Sequence, residues 1–177
     1  MKTNPHVIRT KNFAADAADF ILEQAHKAIG ERNGFRIALS GGNTPRPVYA
    51  RLAAPGHDLP WDLIRITFGD ERCVPPDDPE SNFKMAWETL LAPARVPGKS
   101  ILRMRGEINP QIAAQEYEDQ LDLMVRQHGE PIYRHDLILL GLGMMVIQRR
   151  FFLEQPHWKR QHDGSWQILF PSSTPGD

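Results

Sequence analysis

The chain has 177 residues, of which 41% are hydrophobic and 24% charged, and its 21 basic and 22 acidic side chains give a net charge of -1. This length and composition fit one globular domain with a real core, and a second full domain is not expected. The near balance of charge argues against a general attraction to nucleic acid or to an acidic membrane. The expected partner is therefore a small molecule.

The number of cysteines and the lengths of the apolar runs indicate in which cellular compartment the chain is expected. The single cysteine, Cys73, excludes an internal disulfide and a cysteine-rich metal site. No N-terminal apolar segment resembles a signal peptide, and no run approaches a membrane-spanning length. A cytoplasmic location is expected. The sequence contains no H-E-x-x-H, paired-cysteine or P-loop pattern, so no metal or other cofactor is predicted.

Apolar periodicity predicts strands that alternate with helices along the first 143 residues. The predicted strands are 6–10, a run ending at 37–39, 61–70 and 135–143, and the predicted helices are 12–31, 45–53, about 82–91 and 110–127. In the last helix, one apolar face is expected to hold Ile112, Ala113, Tyr117, Leu121 and Val125. Strands that are apolar on both faces predict an α/β fold, with a parallel sheet covered by helices on both sides.

The loop from Ser40 to Thr44 follows the first buried strand and precedes a helix. Its paired glycines, Gly41 and Gly42, allow positive φ angles and close approach of a ligand to the backbone. Thr44 suits an N-cap and Pro45 the first helical position, so free N–H groups would converge on one spot that suits a phosphate. An ordinary tight connection between strand and helix remains the alternative.

A second polar segment, Asp70-Glu71-Arg72, directly follows another buried strand. In a parallel sheet, ligands bind beyond the carboxyl ends of the strands, so at least one of these side chains is expected to face the crevice there. Arg72 could clamp a phosphate or carboxylate, and Asp70 could orient a hydroxyl, a water or a histidine. The alternative is a turn with a surface ion pair. Asn82 and Lys84 are expected either to cap the next helix or to form a rim over the site.

The seven histidines offer no persuasive general base. His6, His26, His57 and His128 lie in surface-like contexts. His135 begins a predicted strand, which is the wrong end of the sheet for a site in this architecture. The remaining two histidines belong to the C-terminal segment considered below.

With these motifs assembled, the chain resembles the 6-phosphogluconolactonases, which are relatives of the glucosamine-6-phosphate deaminases. The resemblance rests on LSGGNTP at 39–45, on WDLIRITFGDERCVPPDDPESNFKMAWETLL at 61–91, on the AAQEYEDQL helix and on HDLILLGLG at 135–143. The GDER loop and its SN continuation favour the lactonase branch over the deaminases. The resemblance implies a Rossmann-like α/β fold and hydrolysis of 6-phosphoglucono-δ-lactone in the oxidative pentose phosphate pathway, without a required metal.

The resemblance also implies roles for individual residues. The loop of Ser40, Gly41, Gly42, Asn43 and Thr44 would hold the 6-phosphate of a sugar phosphate lactone. Asp70 and Arg72 would belong to the catalytic polar cluster. A histidine-activated water would attack the lactone carbonyl, and positioned donors would stabilise the oxyanion. A deaminase or isomerase that acts on amino sugar phosphates stays open as an alternative.

After Gly143 the resemblance stops. Family members continue into a loop of the type D-G-H-x-A-S-L-F-P-G, which supplies the catalytic histidine, whereas this chain continues with MMVIQRRFFLEQ. We back-translated the chain from Met144 and read each codon beginning one base earlier. The last base of the Met144 codon with the first two of Met145 then encodes Asp, and the last base of Met145 with the first two of Val146 encodes Gly. The codons that follow can encode His-Thr-Ala-Ser-Leu-Phe-Pro-Gly. We therefore expect a lactonase-like domain over 1–143, incomplete at its C-terminus, and an out-of-frame product of a one-base shift over 144–177, followed by an early stop.

Two functional hypotheses follow from the sequence. The first is a 6-phosphogluconolactonase, an enzyme that hydrolyses a carboxylic ester. The second is a catalytically inactive sugar-phosphate-binding remnant, or a misfolding fragment, because the chain lacks the family histidine and the later strands and helices. The alternative to the frame shift itself is a genuinely diverged short relative.

Overall fold

The computed structural model describes residues 8–129, 132–141, 145–149, 157–160 and 166–169. In chain order the helices are α1 (Phe13–Arg32), α2 (Arg46–Leu52), α3 (Asn82–Ala86) and α4 (Pro110–His128). The strands are β1 (Phe35–Leu39), β2 (Ile64–Phe68), β3 (Leu137–Gly141), β4 (Met145–Arg149), β5 (His157–Arg160) and β6 (Trp166–Leu169). No helix in these ranges is both long and apolar enough to cross a bilayer.

The main sheet has the strand order β2-β1-β3-β4. β1 pairs in parallel with β2 on one side and with β3 on the other, while β4 runs antiparallel to β3. The predicted α/β class and its parallel sheet are thereby confirmed for three strands. β5 and β6 form a separate antiparallel pair. The last three strands lie in the segment for which the sequence predicted no element.

Burial on both faces explains why β1 and β2 consist mainly of apolar residues. In each five-residue strand only the second position is partly exposed, Arg36 in β1 and Arg65 in β2. These two arginines are register partners at the amino ends of the strands. The carboxyl ends of the strands are buried and the chain leaves them through polar loops, which places those loops at one edge of the sheet.

Several predicted bounds needed correction. The segment predicted as a strand from 61 begins with a 3-10 turn, Trp61–Leu63, because Leu63 N–H bonds back to Pro60 C=O. The helix predicted over 82–91 is α-helical only as α3 and continues as a π-helical turn, Trp87–Leu91. The strand predicted at 6–10 is wrong for residues 8–10, which are irregular, and its first two residues lie outside the described ranges.

Helix α4 begins where predicted and packs on the core through Ala113, Tyr117 and Val125. Its side-chain cap is Asn109, whose Oδ1 accepts from the backbone of the first turn. Ile112 was expected on the buried face but is 55% exposed. Periodicity defines the direction of an apolar face, but it does not say at which turn that face first meets the core.

Candidate functional site

The loops after β1 and β2 start side by side. Leu39 and Phe68, the last residues of the two strands, are register partners. The Gly69 N–H donates to Leu39 C=O at 2.8 Å, so the pairing continues one residue beyond the sheet. The Ser40–Thr44 loop and the Asp70–Arg72 segment therefore leave the sheet as neighbours, as the sequence predicted. The corresponding exit from β3, residues 142–144, lies outside the described residues.

Asn82, the first residue of α3, joins these two loops. Its side chain is buried, and Nδ2 donates at 3.1 Å both to the Asp70 carbonyl and to Asp70 Oδ2. The same side chain lies against Gly41, where a Cβ would come within 1.8 Å of Asn82 Oδ1. Only a glycine fits at that position without moving Asn82. Of the two roles left open for Asn82, capping falls to Ser81 instead, and a role in the site stays a prediction.

Glu71 turns away from the loops and into the protein, where it is only 3% exposed. Its Oε1 accepts from the N–H groups of Arg72 at 2.8 Å and Asn82 at 2.7 Å. Its Oε2 accepts from the N–H of Phe83 at 2.9 Å and the hydroxyl of Ser81 at 3.3 Å. Burial raises the pKa of the Glu71 carboxyl, and the four hydrogen bonds oppose that rise. The sequence analysis missed this role, because it assigned functions to Asp70 and Arg72 and none to Glu71.

Ser40 is fixed by a tyrosine from α2. The buried Tyr49 hydroxyl donates to Ser40 C=O at 2.9 Å and accepts from Ser40 N–H at 3.1 Å. Burial and the nearby Asp70 charge raise the pKa of the Tyr49 phenol, so it stays a donor. Ser40 is 7% exposed, and its Oγ atom is buried with no hydrogen-bond partner among the described residues.

The rest of the loop after β1 lies nearer to the surface. Gly42 is exposed and has φ +92°, a backbone conformation that favours glycine. Asn43 and Thr44 are exposed. The predicted N-cap at Thr44 is wrong: the N-cap position of α2 is Pro45, and no side chain caps it. The helix begins one residue later than expected, so Thr44 precedes the position from which a side chain caps.

Arg72 is half-buried beside Glu71, and its Nε atom has no hydrogen-bond partner in the described part of the chain. The same holds for Nε of Arg46, the first residue of α2. The backbone at Arg72 is held from the other side by Gly106, where a Cβ would come within 2.1 Å of Arg72 C=O. Unpartnered buried N–H groups need an acceptor, and both arginines follow the strand ends that carry the predicted site.

His135 lies two residues before β3, at the amino end of the strand and away from these loops, as expected. Its Nε2 is 2.8 Å from Thr67 Oγ1, a hydroxyl that also lies within hydrogen-bond distance of Ile37 C=O. Its Nδ1 is buried with no partner among the described residues. Burial, with a smaller effect of Arg36, lowers the pKa of His135 to about 4. His135 therefore carries no role in the candidate site.

The chain matches the family model described as glucosamine-6-phosphate isomerases/6-phosphogluconolactonase over residues 9–144. It is 38% identical over 130 residues to a 6-phosphogluconolactonase of Nostoc sp., which covers 73% of this chain and 53% of that protein. It is 43% identical over 118 residues to a 6-phosphogluconolactonase of Synechocystis sp., covering 66% of this chain and 48% of that protein.

A solved structure shows the same fold. The crystal structure of 6-phosphogluconolactonase from Thermotoga maritima superposes with a TM-score of 0.65 at 27% identity, covering 75% of this chain and 57% of that one. The chain spans about half the length of the curated relatives it matches. The shared part includes the strands and loops that form the candidate site.

Proposed function

We propose that this chain, which belongs to the glucosamine-6-phosphate isomerase/6-phosphogluconolactonase family, acts on 6-phosphoglucono-δ-lactone and hydrolyses it to 6-phosphogluconate. One observation carries the proposal. The loop after β1, the loop after β2 and the start of α3 meet at Asn82, between Gly41 and Asp70. Such convergence at the carboxyl ends of parallel strands is where ligands of this architecture bind.

The polar atoms at this convergence suit a phosphorylated sugar. The Ser40–Thr44 loop would hold the 6-phosphate, and the buried Ser40 Oγ without a partner in the described residues supports that role. Arg72 would offer its free Nε–H to an oxyanion of the substrate. Asp70, oriented by Asn82, would hold a substrate hydroxyl or the attacking water. The proposal includes a cytoplasmic location, because the single cysteine, Cys73, cannot form an internal disulfide.

A second candidate function is binding of sugar phosphates without hydrolysis. It is favoured by the sequence after Gly143, where Met144 and Met145 stand in place of the D-G-H loop expected from the family resemblance. Catalysis of lactone hydrolysis near neutral pH is expected to use a base that activates water. If that base is absent, the loops described above would still bind the phosphate.

We also propose that residues 144–177 are the out-of-frame product of a one-base shift and that residues 1–143 form the lactonase-like domain. The nucleotide sequence decides this point. The codon of Val146 must end in C for the shifted frame to contain the family histidine. Any other third base rejects the frame shift and leaves a diverged relative.

The functional test uses the purified 177-residue chain. Hydrolysis of 6-phosphoglucono-δ-lactone supports the enzyme, whereas binding of 6-phosphogluconate without turnover supports the binding remnant. Consumption of glucosamine 6-phosphate would favour the deaminase alternative.

An Arg72→Gln variant should bind 6-phosphogluconate about tenfold or more weakly, because a charge-assisted hydrogen bond is lost. The exposed Arg126→Gln is the matched control. Absence of both binding and turnover overturns the proposal.

A further inference from the structure

The contacts of Asn82 extend beyond those of a helix start. Capping of α3 is already provided by Ser81, whose Oγ accepts from Lys84 N–H at 3.1 Å. The Asn82 amide is therefore not needed for the cap, and it donates two hydrogen bonds to Asp70. One bond fixes the Asp70 backbone and the other fixes its carboxylate, so together they set the position of one side chain.

The position of Asn82 is determined in turn by Glu71. The Glu71 carboxylate accepts from the backbone of Asn82 and of Phe83, eleven and twelve residues further along the chain. These bonds close the segment between Glu71 and Phe83 and bring the start of α3 to the end of β2. Glu71 thus binds the backbone at the start of α3, while Asp70 binds the side chain of Asn82.

We infer that Asn82 is a positioning residue for the Asp70 carboxylate and that Glu71 holds Asn82 in place. The inference rests on the proposed function, because it takes Asp70 as a residue of the site. Asn82 acts through Asp70, and its amide occupies space beside the loop after β1 that is open only because Gly41 has no Cβ.

The sharpest test is Asn82→Asp, which keeps the shape of the side chain and replaces the amide donor with a carboxylate facing Asp70. At neutral pH the two carboxylates repel each other, and Asp70 moves. At lower pH one proton is shared, and a protonated side chain at position 82 can again donate to Asp70. The charged and titratable groups next to this pair include Glu71, Arg72 and Tyr49.

We expect Asn82→Asp to weaken 6-phosphogluconate binding about tenfold or more at pH 8, as loss of a hydrogen bond to a charged group does. Binding should recover toward the wild-type value as the pH falls, whereas wild type shows no such recovery. A merely structural role for Asn82 would give a loss that does not depend on pH. Asn109→Asp is the matched control, because an aspartate at that N-cap still accepts from the first turn of α4. Affinity of Asn82→Asp equal to wild type at every pH overturns the inference.

A ligand-independent measurement separates this inference from the proposed function. In Asn82→Asp, the side-chain carboxyl carbons of residues 70 and 82 are followed by NMR through a pH titration. Coupled titration, with one step well above the ordinary aspartate range, supports the contact on which the inference depends. Independent titration of the two groups overturns the inference even if the wild type binds. A wild type that fails to bind rejects the proposed function, and the titration still decides the position of Asn82.

Discussion

Glu71 lies between the two predicted catalytic residues but is buried, whereas both of its neighbours are partly exposed. Its two oxygens accept four hydrogen bonds, three of them from the backbone of the neighbouring loop and helix. The sequence predicted that at least one side chain of Asp70-Glu71-Arg72 would face the crevice. It could not show which one turns inward, because that depends on where the later segment Ser81–Phe83 returns to the sheet.

Replacement of Glu71 by Gln should lower the free energy of unfolding by about 1–3 kcal/mol, because an amide nitrogen takes the place of one acceptor and leaves a buried donor unpaired. Urea denaturation at neutral pH measures the change. The exposed Glu80→Gln is the matched control and should stay within about 0.5 kcal/mol of wild type. Equal stability of the two variants would show that the Glu71 carboxylate contributes nothing to holding the loop.

His135 makes the free energy of unfolding depend on pH in the acid range. Its pKa in the folded chain is lowered to about 4, below the ordinary value of 6.5, so the unfolded chain takes up the proton first as the pH falls. Stability is therefore lost between pH 6.5 and pH 4, by up to about 3 kcal/mol. The difference in unfolding free energy between wild type and His135→Gln should change over this range. The exposed His26→Gln should keep the wild-type slope, and the same slope in His135→Gln would contradict the assignment.

At the scale of secondary-structure elements, two segments hold the loop after β2 in place. One is the start of α3, and the other is the turn around Gly106. Arg103 and Glu107 form a double hydrogen-bonded ion pair at 2.7 and 2.9 Å across that turn. This pair lowers the pKa of the Glu107 carboxyl to about 2. Gly106 lies between them and contacts the backbone of Arg72 so closely that no side chain fits.

Gly106→Ala should therefore displace the backbone at Arg72. A Cβ at position 106 would come within 2.1 Å of Arg72 C=O and 2.7 Å of Val74 C=O, and neither carbonyl is the end of a flexible side chain. We expect a loss of about 1–3 kcal/mol in unfolding free energy, together with weaker 6-phosphogluconate binding. Calorimetric melting and titration measure the two effects. Gly98→Ala, which has open space around its Cβ, is the control; if both variants behaved as wild type, the contact would be unimportant.

Elements with long apolar patterns were predictable, and irregular joints were not. The runs ending at Leu39 and Phe68 predicted β1 and β2 because burial on both faces requires apolar residues at nearly every position. The π-helical turn at Trp87–Leu91 carries the same periodic pattern as an α-helix, so the sequence could not distinguish them. The error at Thr44 has a related origin, since the residue type suits a cap but the chain turns into α2 one residue later.

At the scale of the whole molecule, β1 is the centre of the parallel part of the sheet, and both loops of the candidate site leave from β1 and its neighbour β2. The sequence predicted this convergence, because parallel strands place their carboxyl ends at one edge. It could not predict the pairing of β4 with β3, since the segment after Gly143 lacks a periodic pattern. The contact between Gly41 and Asn82 was equally hidden, because forty residues separate the two positions and no spacing rule links them.

Two tyrosines act in the same way on the two strands of the site. The Tyr49 hydroxyl accepts from the N–H of Ser40 after β1 and donates to its C=O. The Tyr117 hydroxyl makes the same two hydrogen bonds to Phe68 at the end of β2. Burial raises the pKa of both phenols, so the folded chain keeps protons that the unfolded chain releases near pH 10. The free energy of unfolding must therefore fall as the pH rises through that value.

The chain has only three tyrosines, so this pairing has an optical consequence. Most of the tyrosinate absorbance should appear on alkaline titration together with the loss of helical circular dichroism, rather than in an independent earlier step. Rapid mixing to alkaline pH would then time the release of both strand ends from their helices. Absorbance that developed fully while the helical signal persisted would show that the two phenols ionise in the folded chain.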